Sequence, residues 1–287
     1  MPDEFGGREL DVCRACQLVW CDDLEHEALP QLPPALAPDD GLPPAVRQQM
    51  AVEMVLEAKR LEQVRQAEGP DFSLRKLPAV LGVPVELHPT AMPTLPWLTW
   101  ATAIATAVVS IEGLWHDDIR RSLWLVPEQS GPFDPRLLTV FLVHADWLHL
   151  LCNLCFLITF GDDVEVRLGR GRWFALLLGA TLAGSLLHVA IDPHSVRPCV
   201  GASGGISGLI VCYALLLPDA RLGAWIGRGY RSEWVTFPAS SGLLIWAGLQ
   251  VALLLQQLSG FGRISAAAHI GGALVGVAAW AAWRARG

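Results

Sequence analysis

Residues 200–217 read VGASGGISGLIVCYALLL, an apolar run that opens on a hydroxyl set among glycines. Working outward, further apolar runs occupy 95–111, 137–160 and 173–191 upstream, and 240–258 and 264–283 downstream. Most of them approach the roughly 17 to 25 apolar residues that a bilayer-spanning helix needs. The first runs into Glu112 and the fourth is short. Backbone groups in hydrocarbon must be paired internally, and none of these runs alternates as a barrel strand does, so helices are expected. The expected fold is an all-α polytopic membrane protein, a bundle of six transmembrane helices preceded by a small N-terminal region.

Composition agrees. The 287 residues are 52% apolar and only 17% charged, with a mean hydropathy of +0.38. The acidic excess and most of the prolines fall in 1–92, whereas 93–287 is close to neutral. That balance disfavours a nucleic-acid partner and points to membrane lipids. Seven dispersed cysteines do not form the even pattern of a disulfide scaffold. The opening MPDEFGGREL lacks a basic region followed by an apolar run, so the head is expected to stay in the cytoplasm.

The arginines set the expected topology. Arg167, Arg170 and Arg172 lie between the second and third runs, Arg221, Arg228 and Arg231 between the fourth and fifth, and Arg284 and Arg286 at the end. These loops read as cytoplasmic. Of the opposite loops, two are poorer, holding Arg197 and Arg263 alone, although the first carries Arg120, Arg121 and Arg136. Both termini are then inside, and a bacterial-like inner membrane is the expected location.

Hydrogen-bonding side chains inside apolar spans are costly and mark function more often than in a soluble core. The second run carries His144, His149 and Asn153, the third His188, the fourth Ser203 and Ser207, and the sixth His269. His149 and Asn153 are four apart and share a helix face. With a rise of about 1.5 Å per residue, Ser203 lies about 9 Å below the outer boundary and His269 about 8 Å. Such a meeting supports acyl transfer: a serine hydroxyl is a weak nucleophile until a base removes its proton, which makes Ser203 and His269 the minimum reactive unit. His149, Asn153 and the Ser203 backbone N–H are the candidate donors to an oxyanion. His144 is a candidate accessory residue near the site. Gly204, Gly205 and Gly208, with Gly271, Gly272 and Gly276, would let the fourth and sixth helices approach closely.

At these positions the chain resembles the rhomboid intramembrane serine proteases. That family pairs a Gly-x-Ser-Gly serine on its fourth helix with a histidine on its sixth, and carries His-x-x-x-Asn on its second. The counterparts here are Gly201-Ala202-Ser203-Gly204, His269 in AHIGGALVG, and His149 with Asn153. The likeness extends to Trp147, Gly161, Glu165 and Gly169 and covers about 93–283. It implies a Ser/His dyad without a third carboxylate, no catalytic cofactor, and single-span transmembrane proteins as substrates. It also implies substrate access past the fifth helix and the loop after it, where Gly260 and Gly262 supply mobility. The other reading is a silent relative that binds or escorts membrane helices. Two departures stand out. The first exterior loop, HDDIRRSLWLVP, lacks a Trp-Arg pair, and the residue four after the serine is Ser207, with no aromatic ring to stack on His269.

In the head, 9–29 resembles part of a transcription-factor-IIB-type zinc ribbon, matching at Cys13, Cys16, Val19, Trp20 and Asp22. A closed zinc site needs four ligands. Cys21 and His26 are the available partners for Cys13 and Cys16 in a structural zinc site. A Pro-rich linker follows, then a helix expected over about 44–68, so the chain divides into an N-terminal region, 1–92, and a membrane domain, 93–287.

Overall fold

The structure, a computed structural model, describes residues 3–5, 8–13, 18–20, 77–80, 82–87, 95–228, 231–260 and 264–283. The chain forms two compact units, 1–67 and 68–287. In the first, β1 (Asp3–Phe5), β2 (Arg8–Cys13) and β3 (Leu18–Trp20) make an antiparallel sheet in that order. Cys13 closes β2 opposite Leu18. Cys16, Cys21, His26 and the helix expected over 44–68 lie outside the described residues. Among the described residues no three His, Cys, Asp or Glu side chains are grouped to hold a metal ion.

The second unit is built on six long helices: α1 (Trp97–Trp115), α2 (Trp147–Leu168), α3 (Arg170–Ile191), α4 (Ser203–Leu216), α5 (Ala239–Leu258) and α6 (Ala266–Trp283). All but α4 are long and apolar enough to cross a bilayer, so the protein is a multi-pass membrane protein. At 14 residues α4 spans only about 21 Å. It starts inside the bundle and thereby places its N-terminal end there. α6 is the hub, packed chiefly on α4 and α3. Glycines make this possible: a side chain at Gly184 or Gly271 would collide with the facing backbone of α6 or α3, one at Gly276 with the backbone of α4, and one at Gly208 with Ala180 Cβ of α3. α5 is the outlier. Only 11% of its apolar window is buried, against 28% or more in the other four spans.

The second helix differs from its apolar run. Residues 136–142 form a short helix and a 3-10 turn, and α2 begins only at Trp147, where the Asp146 carboxylate accepts from His149 N at 2.8 Å and caps the helix. At its other end α2 continues through Asp163 and Glu165, both buried. Glu165 explains how a carboxylate is tolerated there. Its oxygens accept from the backbone N of Leu98 (3.0 Å) and Thr99 (2.6 Å) and from Thr99 Oγ1 (2.8 Å), satisfying the first turn of α1. Arg170 Nε stands 3.7 Å away. Gly169, at φ +79°, ends α2 in a conformation that side-chain-bearing residues disfavour and lets α3 start at the next residue. Glu165→Ala strands those donors and should cost about 1–3 kcal/mol, read as a lower thermal-unfolding midpoint in detergent.

The segment between α4 and α5, expected as an arginine-bearing loop, is a β-hairpin. β5 (Arg221–Arg228) and β6 (Arg231–Pro238) pair antiparallel from Arg221 opposite Pro238 to Arg228 opposite Arg231. A short strand, β4 (Val85–Glu86), completes the sheet against β5. Arginine counting fixes a side of the membrane and says nothing of conformation. Trp225 and Trp234, rings edge-on at 5.4 Å, supply the cross-strand contact.

Glu86 ties this sheet to the helices. Its carboxyl faces Asp163 and Asp162 of α2 and the Tyr213 hydroxyl of α4. Burial, reinforced by Asp163, raises its pKa to about 8. The folded protein therefore holds a proton that the unfolded chain releases near 4.5. The associated stabilisation is complete below about pH 4.5 and is lost as pH rises through about 8. Glu86→Gln should flatten the fall in thermal stability between pH 6 and 9, measured by unfolding at a series of pH values.

Candidate active site

Ser203 is the first residue of α4, and the loop before it is held from two sides. Gly201 N donates to Val140 O at 3.1 Å, and Ala202 N donates to His144 Nε2 at 3.3 Å. Since Nε2 accepts, the His144 proton sits on Nδ1, which donates to Ser110 Oγ at 2.8 Å. Ser110 in turn donates to Leu142 O at 2.7 Å. The chain of donors is closed, and His144 is fully buried. His144 thus supports the backbone that presents Ser203, from a loop and not from within α2.

Gly201 adopts φ +117°, and a Cβ there would lie 2.8 Å from the His149 ring. Only glycine meets both conditions. His149 packs edge-on against His144, ring centroids 5.0 Å apart. It is also near enough to His269 for the two imidazoles to interact electrostatically. One turn on, Asn153 Nδ2 donates to His149 O at 2.8 Å, and the amide is buried. The structure thus brings His149 beside the loop that leads into Ser203, with Asn153 on the next turn of the same helix.

His269 comes from the opposite side. Its Nε2 is 2.8 Å from Ser203 Oγ. Its Nδ1 is 2.7 Å from Gln250 Oε1 on α5. An amide oxygen only accepts, so Nδ1 carries the proton and the Nε2 lone pair faces the serine hydroxyl. The Ser203 N–H belongs to the first turn of α4, where backbone donors lack intrahelical acceptors and the helix dipole is positive. Hydroxyl, base and a helix-first-turn donor are in one place.

The segment between α1 and α2 is anchored without a Trp-Arg pair. Leu125 and Cys199 exchange backbone hydrogen bonds of 3.1 and 2.7 Å. Leu125, Leu137 and Val140 form a buried cluster against Val189 and Cys199. Arg120 and Arg121 stand over the Trp124 ring at 5.9 and 5.5 Å. A hydrogen bond from Arg136 holds the Asp134 carboxyl below the usual carboxylate range.

The Rhomboid domain model matches residues 135–286. The chain belongs to the rhomboid family. This rhomboid is 30% identical over 138 residues to the mitochondrial Rhomboid protein 1 of Saccharomyces cerevisiae, a match covering 47% of this chain and 37% of that protein. It is 33% identical over 82 residues to the putative rhomboid protease YdcA of Bacillus subtilis, covering 29% of this chain and 41% of the relative. The Inactive rhomboid protein 1 of Drosophila melanogaster is 37% identical over 82 residues, 29% of this chain and 6% of its own. The chain thus spans less than half the length of these relatives.

In this rhomboid Ser207 Oγ donates to Ser203 O at 2.6 Å, a local helical bond that suits a packing role. His188 Nδ1 is 2.7 Å from Ser265 Oγ, and that oxygen accepts from Ala268 N at the start of α6. His188 therefore braces the turn leading to His269. Gln250 is the site residue that sequence reasoning passes over. The signal was present, for LLIWAGLQVALLL holds an uncharged polar side chain in an apolar run, and the rule applied to histidine and asparagine applies to it equally.

Proposed function

We propose that this rhomboid is an intramembrane serine endopeptidase that cleaves transmembrane segments of single-span proteins, with Ser203 as nucleophile and His269 as general base and then general acid. The observation that carries the reading is the 2.8 Å contact between Ser203 Oγ and a His269 Nε2 whose lone pair faces the hydroxyl. Nε2 takes the Ser203 proton as Oγ attacks the scissile carbonyl, and returns it to the leaving amine as the acyl-enzyme forms. Water then enters by the same base and releases the acid product. The oxyanion of each tetrahedral intermediate would be met by the Ser203 N–H and by side-chain donors from His149 and Asn153, with His144 holding the loop that presents Ser203. The chain's own residues supply every role, and no cofactor is required. A structural zinc held by Cys13, Cys16, Cys21 and His26 remains a separate proposal for the head.

The arginine distribution supports a bacterial-like inner membrane with both termini cytoplasmic. The test is cleavage of single-span reporters reconstituted in vesicles. Wild type should cut, Ser203→Ala and His269→Ala should not, and a fluorophosphonate should label wild type but not Ser203→Ala. Reporter capture without cleavage by wild type would favour the escort role over proteolysis.

A further inference from the structure

Two glutamines join α5 to the first turn of α6. Gln250 Oε1 accepts from His269 Nδ1 at 2.7 Å, and Gln257 Oε1 accepts from Ala267 N at 3.1 Å. Seven residues is close to two full turns, so both side chains leave the same face of α5. Gln250 is 4% exposed, although α5 is the least buried of the long apolar helices. An amide in such surroundings is costly without a partner, and its acceptor is matched to the histidine hydrogen-bonded to Ser203.

We infer that Gln250 is a positioning residue: its amide oxygen fixes the tautomer and the ring orientation of His269. The inference rests on reading Ser203 and His269 as the reacting pair. With Nδ1–H held by Gln250, Nε2 is free to receive the Ser203 proton. Without the acceptor the ring also populates the other tautomer, whose Nε2–H points at Oγ and cannot act as base. Gln250 contributes no charge, so it orients the base without the electrostatic pull that a carboxylate would exert on the imidazolium. Because the acceptor stands on α5, orientation of the base requires α5 to be seated against α6; a separation of a few ångströms breaks a 2.7 Å bond.

The test uses the full chain in nanodiscs with wild type, Gln250→Leu and Gln250→Glu. Gln250→Leu keeps the volume and suits an apolar bundle, and should lower kcat about ten-fold or more while KM for the reporter moves less than about two-fold. Gln250→Glu keeps an acceptor and should restore kcat, with the acid limb of its pH profile moved. Nitrogen-15 NMR of histidine-labelled protein, with the His269 signals assigned by loss in His269→Ala, reads the ring directly. Wild type and Gln250→Glu should show a protonated Nδ1, and Gln250→Leu a mixture of tautomers. An unchanged tautomer or an unchanged kcat in Gln250→Leu overturns the assignment. If wild type cuts no reporter, the protease reading fails by itself, while the NMR comparison still decides the role of Gln250.

Discussion

Ser203→Ala, His269→Ala and the double variant should all fall to one floor of reporter cleavage, on the order of 10⁴ to 10⁶ below wild type. The equality is the sharper part of the expectation. Under the proposed mechanism Ser203 and His269, 2.8 Å apart, act as a single proton-transfer unit. A hydroxyl without its base is almost wholly protonated and barely nucleophilic; a base without the hydroxyl has nothing to activate. Once either is gone, removal of the other costs nothing more. Losses that add in the double variant would mean that the two side chains act in separate steps. Substantial cleavage by any of the three would assign the chemistry to other residues. Single-turnover assays are the right measurement, because product release from a bilayer can limit multiple turnover and hide the ratio.

Much of this site was legible because lipid makes polarity informative. A serine, an imidazole and a His-x-x-x-Asn pair in apolar runs are expensive wherever they lie, and the rise of a helix brings Ser203 and His269 to one depth without any coordinates. What depends on side-chain reach was not legible. Ser110 and His144 are 34 residues apart, and nothing in either segment announces their bond. Apolar content placed His144 in the second span; the structure starts α2 at Trp147, because Asp146 caps the helix there. A capping bond is local and decides a boundary that hydropathy averages over. Glu165 was read as part of a family pattern, but its work on the first turn of α1 appears only when the chain ends of two helices meet. Likewise the β5–β6 hairpin follows from cross-strand pairing, to which charge counting is blind. In each case the sequence signal was a residue type, and the missing information was the partner.

Gly272→Ala should lower kcat/KM for the reporter by about 10²-fold, although position 272 touches neither reacting atom. A Cβ at Gly272 would lie well inside contact distance of the Gly204 carbonyl oxygen, a backbone atom that no rotamer change can move aside. The neighbouring positions are also closed: a Cβ at Gly276 would meet Gly208 O at 2.5 Å, and one at Gly208 would meet Ala180 Cβ at 2.6 Å and Gly272 O at 3.0 Å. Sliding α6 along α4 therefore exchanges one collision for another, and the remaining relief is for the helices to part. Gly204 adjoins Ser203, and His269 stands one turn before Gly272, so the separation falls on the 2.8 Å contact between hydroxyl and base. Displacement of a reacting group by about 1 Å is enough for a loss of that size. Overpacking should also destabilise the fold by about 1–3 kcal/mol. Gly248→Ala is the control, since a Cβ on that exposed position of α5 meets nothing within 4 Å, and it should leave activity in place without lowering the unfolding midpoint. Fluorophosphonate labelling separates the two effects at a temperature where Gly272→Ala is folded: slow labelling of folded protein shows a displaced dyad. If folded Gly272→Ala labels and cleaves within two- to three-fold of wild type, close α4–α6 approach is not what sets the Ser203–His269 distance.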